Sequence, residues 1–305
     1  MAGTLIEGFE ARDFDAGGVT IHYAVGGSGP PLLLLHGYPQ THAMWWKLAP
    51  RLAGRFTVVA ADLRGYGDSS KPAGLADHSN YSKRALAADQ VSLMKHLGFA
   101  RFALCGHDRG ARVAHRLALD HRDAVERLAV LDIAPTLAMY ERTDMTFART
   151  YFHWFFLIQP APFPETLIAA NPGYLLKTVF GAWAKSEASK AFAPAALAEY
   201  ARCFAKPETI HATCEDYRAG ASIDVELDGA DLGQRKIASP TLVLWGAGNQ
   251  RLAGRRDLLA VWREWASDVR GRGLPCGHFL PEESPDETYD ALREFFLATD
   301  KGGSR

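Results

Sequence analysis

Phe102 to Cys105 is a short apolar run, Gly106-His107-Asp108-Arg109-Gly110 follows it, and Ala111 to His115 already carries helical spacing. A strand that passes into a helix through so short a turn needs glycine on both sides of the apex, because the backbone bends tightly and approaches its neighbours closely. The turn lifts its middle side chain, Asp108, clear of the sheet. The N–H groups and dipole of the helix that starts there point at anything negative.

The rest of the chain agrees with a strand–helix alternation. Short β-rich runs at Val19–Val25, Pro31–His36, Phe56–Asp62, Phe102–Cys105, Leu128–Asp132, Thr241–Trp245 and Asp268–Gly271 alternate with helical segments. That order predicts an α/β fold built on a mostly parallel sheet. Helical stripes are expected where Met44, Leu48 and Leu52 share a face, where Ala88, Val91 and Met94 follow Ser82, and at Leu258, Val261, Trp262 and Trp265. From Pro135 to about Asp231 the strand pattern stops. An aromatic-rich helical stretch takes its place, with Tyr140, Phe147, Tyr151, His153, Trp154, Trp183, Tyr200 and Tyr217. The pattern resumes at Thr241, so the core is expected at 1–135 and 231–305, with a helical cap inserted at 136–230.

At 305 residues, with 48% hydrophobic and 23% charged side chains, a sizeable core is affordable and disorder is excluded as a general description. The net charge of -1 gives no basic surface for nucleic acid or an anionic membrane. No run approaches the roughly 18–20 apolar residues of a membrane span, and the first residues lack a basic start followed by an apolar run. A cytoplasmic protein is the expectation. Cys105, Cys203, Cys214 and Cys276 have no C-x-x-C spacing, so buried thiols are expected rather than zinc ligands or disulfides.

A carboxylate at the apex of such a turn can attack a saturated carbon and form an ester, whereas a serine would chiefly attack carbonyls. The plain alternative is that Asp108 only caps the helix. Three further segments bear on the choice. Leu32 to Leu35 runs into His36-Gly37-Tyr38-Pro39, an H-G-x-P loop suited to present backbone N–H groups. Asp62-Leu-Arg64-Gly65-Tyr66-Gly67-Asp68-Ser69 is a D-x-R-G-x-G-x-S loop, read as structural. Gly277-His278-Phe279 follows the last strand.

In this order the segments resemble the α/β-hydrolase superfamily from about Gly17 to Leu297, and within it the fluoroacetate dehalogenases. The resemblance implies an eight-stranded, mostly parallel sheet flanked by helices. It implies Asp108 as nucleophile, His278 as base and an oxyanion hole from the amides of Tyr38 and Arg109. Other histidines such as His42, His96 and His121 are expected to be solvated or capping. Many relatives carry the acid that orients the histidine after the strand Thr241–Trp245, but here that loop reads Gly-Ala-Gly-Asn249-Gln250. Asp132, at the end of an adjacent strand and matching the dehalogenase position, is expected instead, with Asp257 as a weaker rival.

Haloalkane dehalogenases and epoxide hydrolases generally place Trp after the nucleophile, whereas this chain has Arg109, with Arg112 three residues on. Two guanidinium groups on one helical face suit a substrate carboxylate, unless they merely pair with acids of the core or cap. The resemblance adds His153, Trp154 and Tyr217 as donors to a departing halide. It implies hydrolysis of haloacetates, fluoroacetate to glycolate and fluoride among them, without metal or organic cofactor, by an enzyme that relatives suggest is a homodimer. The alternatives are an epoxide hydrolase of the same fold and a binding protein for small acids that has lost turnover.

Overall fold

The computed structural model describes residues 3–141, 143–185, 187–248 and 257–298. Within them an eight-stranded sheet forms the core, in the order β1-β2-β4-β3-β5-β6-β7-β8. The strands are β1 Glu10–Asp15, β2 Thr20–Gly26, β3 Pro31–Leu35, β4 Thr57–Ala61, β5 Phe102–His107, β6 Val125–Leu131, β7 Thr241–Gly246 and β8 Val269–Leu274. β1 pairs antiparallel to β2, and β2 antiparallel to β4; the remaining pairs are parallel. Leu32 to Leu35 of β3 are completely buried, as expected of a central strand covered on both faces. The edge strand β1, Glu-Ala-Arg-Asp-Phe-Asp, has no sequence signal because its polar, largely exposed side chains suit a strand paired on one side only.

Helices α1 Ala49–Leu52, α2 Lys83–His96 and α3 Arg109–Asp120 connect the first strands. The side chain of Ser82 caps α2 by accepting from Ala85 N. Val91 and Met94 are buried as expected, but Ala88 faces outward, and Leu86, Ala87 and Leu93 complete the buried face in its place.

Between β6 and β7 the named elements of the described chain are all helices: α4 Thr136–Tyr140, α5 Met145–Thr150, α6 Phe152–Leu157, α7 Phe163–Ala170, α8 Pro172–Trp183, α9 Ala188–Ala191, α10 Pro194–Phe204, α11 Pro207–Ala221 and α12 Ile223–Asp231. Helices α13 Leu258–Trp265, α14 Leu280–Glu283 and α15 Pro285–Leu297 complete the fold. No helix of the described residues is long and apolar enough to cross a membrane. All four cysteines are buried free thiols.

Candidate active site

Strands β3, β5 and β6 end side by side, and the turns that leave them carry Tyr38, Asp108 and Asp132, three of the residues singled out in the sequence. Asp108 sits between β5 and α3 at φ 47°, ψ -115°, a backbone state that a non-glycine residue adopts only where its surroundings enforce it. The flanking glycines provide that enforcement by close approach. A Cβ on Gly106 would strike the Gly110 carbonyl and Ala111, and one on Gly110 would strike the carbonyls of Leu35 and His36. Strand β3 and the start of α3 are therefore nearly in backbone contact under the acid, which is held up into the space above the sheet.

Gly37 fits against Asp108 in the same way, since a Cβ there would overlap the Asp108 side chain. This proximity lets Tyr38 N donate to Asp108 Oδ1 at 2.9 Å. The loop is set by His36, whose Nδ1–H donates to Gly37 O at 3.0 Å while Nε2 accepts from Leu63 N at 3.0 Å. Of the two amides expected to form an oxyanion hole, that of Tyr38 bonds to the carboxylate; no bond from Arg109 N to it is recorded among the described residues.

His278 lies across from Asp108, with Nε2 3.9 Å from Asp108 Oδ2 and Nδ1 2.6 Å from Asp132 Oδ2. Asp132, too, is at positive φ, 58°. Its N–H bonds to Leu244 O and its Oδ1 accepts from Gly246 N at 2.9 Å, so β7 fixes both its backbone and its carboxylate. Asp257, the rival for this role, caps α13 by accepting from Leu259 N and Ala260 N. Asn249 and Gln250 lie outside the described residues.

His107, a spacer in the sequence motif, is wholly buried and donates from Nε2 to His278 O at 2.8 Å. That bond ties the end of β5 to the backbone of His278. His42 departs from expectation: it is buried, and its Nδ1 meets Asp62 Oδ1 at 2.9 Å inside the D-x-R-G-x-G-x-S loop. Asp62 also accepts from His42 N and Asp68 N, which gives that loop the structural task assigned to it.

Asp108, Arg112, Asp132, His153, Trp154 and His278 line one cavity, together with Ile133, Met139, Tyr151 and Trp183. It offers about 20 Å³ to the centre of a water molecule, little more than the ~10–15 Å³ that one water requires. Arg112 stands in its wall, its guanidinium 4.6 Å from the Trp154 ring centroid, with Nη1 donating to Ala134 O at 3.0 Å and Thr136 Oγ1 at 2.9 Å.

The two arginines diverge more than their helical spacing suggests. Arg109 turns to α11, where Nε meets Asp216 Oδ2 at 2.5 Å, and its guanidinium lies 4.1 Å from the Tyr217 ring centroid. Neither Arg109 nor Tyr217 is part of the cavity wall. Tyr217 packs edge-on to Tyr38 and His153, with centroids 5.4 and 6.0 Å away, and its buried hydroxyl has no hydrogen-bond partner among the described residues.

The family model for the α/β-hydrolase fold matches residues 30–285. A fluoroacetate dehalogenase from a Burkholderia species is 51% identical over 95% of this chain and 95% of its own. The chain is an α/β hydrolase of the fluoroacetate dehalogenase family. A soluble epoxide hydrolase from a Corynebacterium species is 35% identical over 92% of this chain and 94% of its own. The solved structure of ALR0039 from Nostoc sp PCC 7120 superposes with a TM-score of 0.93 at 58% identity, covering 95% of this chain and 99% of that one.

The charges of this hydrolase are arranged around the cavity. Burial alone would raise the Asp108 pKa, but His278, His107, Arg112 and Arg109 together hold it below the ordinary value. Asp108 is thus an anion at neutral pH. Burial, then the neighbouring His278, pushes His107 down to about 4, so it stays neutral. Burial and then Arg109 lower the pKa of Arg112, and no carboxylate of the described residues lies within ion-pair distance of it. A cation so placed gains most from an anionic ligand. Burial, followed by the Asp108 charge, raises Tyr217 well above its usual range, which keeps its phenol a proton donor.

Sequence reasoning left out Asp216, His107, Tyr151 and Trp183. Tyr151 and Trp183 were visible as cap aromatics; Asp216, between Glu215 and Tyr217 with Arg218 beyond, had nothing to single it out among the charged residues of its segment, and nothing in the motif distinguished His107 from a spacer.

Proposed function

We propose that this hydrolase dehalogenates haloacetates, with fluoroacetate as a substrate, through an ester on Asp108. The observation that carries the reading is that a buried carboxylate, Asp108, and a buried guanidinium with no ion-paired acid among the described residues, Arg112, share the wall of one small cavity. A neutral alkane or epoxide would leave that charge unanswered, whereas the carboxylate of a two-carbon acid answers it. The 51% identity to a fluoroacetate dehalogenase supports the same substrate class, and the 35% identity to an epoxide hydrolase fits less well.

The geometry suggests which oxygen reacts. Asp108 Oδ1 is engaged by Tyr38 N–H, so Oδ2, on the side of His278, attacks the α-carbon and the carbon–halogen bond breaks. We assign the acid group to Arg112 of the cavity wall, with Arg109, outside that wall, as its expected partner, and the departing halide to His153 and Trp154, with Tyr217, likewise outside the wall, as the expected third donor. His278, oriented by Asp132, then takes a proton from water as its oxygen adds to the Asp108 carboxyl carbon. The oxyanion forms on Oδ1, against the amide of Tyr38, with that of Arg109 as the second expected donor. Collapse breaks the bond to Oδ2 and releases glycolate. The proton from His278 completes the product.

Residues 136–230 act in this reading as a cap that closes over the cavity. Met145, Phe152, Phe163, Leu167 and Tyr174 are exposed on that insert, and we propose that these apolar side chains contribute to the contact of a homodimer. Four buried free thiols suit the reducing conditions of the cytoplasm. A single turnover of fluoroacetate in ¹⁸O-water tests the chemistry. Label should enter the Asp108 carboxylate, and glycolate alone carrying it would reject the ester.

A further inference from the structure

Asp216, in the middle of α11, is completely buried and receives donors from three parts of the core. Arg109 gives Nε to Oδ2 at 2.5 Å and Nη2 to the Asp216 main-chain oxygen at 2.6 Å. Lys83, the first residue of α2, gives Nζ to Oδ1 at 2.6 Å and to the same main-chain oxygen at 3.2 Å. Tyr66, from the loop after β4, donates its hydroxyl to Oδ2 at 2.9 Å. Lys83 Nζ reaches onward to Asp224 Oδ2 of α12 at 3.2 Å, and its main-chain N–H to Asp224 Oδ1 at 2.8 Å.

The cluster is balanced: two cations, Arg109 and Lys83, face two carboxylates, Asp216 and Asp224. Arg109 therefore reaches the cavity region with its charge already answered, while Arg112 does not. The placement is also tight. A Cβ on Gly220 would lie 3.1 Å from Arg109 Nη2, so α11 leaves just enough room for the guanidinium, and Tyr217, next to Asp216, lies under its plane.

We propose that Asp216 is a positioning residue of this active site. By fixing Arg109 against α11 and answering its charge within the cluster of Lys83, Asp216 and Asp224, it leaves Arg112 as the cation of the cavity wall with no ion-paired acid among the described residues, and holds Tyr217 in register with Arg109. The proposal rests on the haloacetate reading above and adds to it that one acid of the insert sets both the charge and the alignment of the substrate's two ends.

The charge of Asp216 gives its removal an effect of definite sign that lost packing would lack. Replacing Asp216 by Asn leaves a second buried cation close to the cavity and at the same time frees Arg109 from its anchor. Anions should then bind more tightly, while the alignment for attack is lost. Replacing Lys83 by Met leaves Asp216 and Asp224 with Arg109 alone, an excess of negative charge, and anion binding should weaken. Lys83→Met with Asp216→Asn together restores the balance of one cation and one carboxylate.

The experiment measures glycolate binding to the full-length protein by calorimetry, with kcat and KM for fluoroacetate alongside. Asp216→Asn should tighten glycolate binding by about three- to tenfold while Lys83→Met loosens it by a similar factor, since buried charges interact more strongly than solvated ones. The double variant should return towards wild type. For Asp216→Asn, kcat should fall at least about tenfold without a rise in KM, the mark of lost alignment rather than lost grip. Shifts in the same direction for the two single variants, or unchanged affinity in either, overturn the proposal. If Asp216→Asn does not fold, Lys83→Met alone decides, with unchanged or tighter glycolate binding counting against it. Halide release by the wild-type protein is measured separately: its absence sinks the haloacetate reading, whereas halide release with no opposed binding shifts sinks only the role of Asp216.

Discussion

His278 Nε2 stops 3.9 Å short of Asp108 Oδ2 while Asp132 holds the opposite ring nitrogen at 2.6 Å. A base that bonded directly to the nucleophile would have to be displaced before water could enter. At this spacing one water can sit within hydrogen-bond distance, about 2.8 Å, of both groups. The nitrogen facing Asp108 has no hydrogen-bond partner among the described residues, as befits a group that waits for a proton.

Separating attack from hydrolysis should therefore be possible at His278. In His278→Ala, Asp108 keeps its amide donor and its cationic neighbours, so halide should leave once per site and then stop. Turnover should drop by on the order of 10²–10⁴, the usual contribution of a positioned base. Mass analysis of the peptide containing Asp108 should find one carboxymethyl ester; halide release that continues at the wild-type rate would remove His278 from the mechanism.

Asp132→Asn isolates the tautomer. Gly246 N–H donates to Oδ1, which favours placing the Asn oxygen there and its NH₂ against His278 Nδ1. That nitrogen would then have to accept, moving the ring proton to Nε2 and leaving no lone pair for water. A fall in kcat on the order of 10³–10⁴ is expected by analogy with other triads, with the thermal midpoint little changed. Steady-state kinetics beside a melting curve checks both halves.

Arg112→Leu removes the uncompensated cation while leaving an apolar side chain beside Trp154. A charge-assisted hydrogen bond is worth ~1.5–3 kcal/mol, so KM for fluoroacetate should rise by about ten- to a hundredfold. A neutral epoxide should not suffer the same loss. Equal KM values for wild type and variant would return Arg112 to a purely structural role.

The sheet was legible in the sequence wherever a strand is buried on both faces, because Leu32-Leu-Leu-Leu and Thr241-Leu-Val-Leu have no other way to hide their side chains. β1 was not, since an edge strand is held by its neighbour's backbone and asks little of its own residues. Asp108 stood out because the turn that carries it needs glycines at fixed spacing, whereas His278 and Asp132 were reached through the resemblance of their segments to fluoroacetate dehalogenases. Helical spacing foretold that Arg109 and Arg112 would share a region, but not that they would part. Their directions are set by Asp216, more than a hundred positions away, and by the carbonyl of Ala134, and neither partner is encoded near α3.

Stability at neutral pH should depend on an acid that takes no part in the chemistry. Glu282, in α14 just beyond His278, is buried between the core and the insert: Gln40 and Tyr200 donate to its carboxylate, the latter at 3.0 Å, and Lys47 Nζ donates to its main-chain oxygen at 2.7 Å. Burial raises its pKa from 4.5 to about 8 despite those donors. The folded state therefore holds this proton where the unfolded chain has released it, and stability falls as pH rises from about 4.5 through about 8. Buried His107 and His115, pushed down to about 4 and about 3, act in the opposite direction below the usual histidine range, so the contribution of Glu282 stands out above it. Glu282→Gln keeps the shape of the protonated acid and cannot ionise. Its thermal midpoint should fall less than that of the wild type between pH 6.5 and 8.5, and parallel curves over that interval would mean that Glu282 is already ionised in the folded protein.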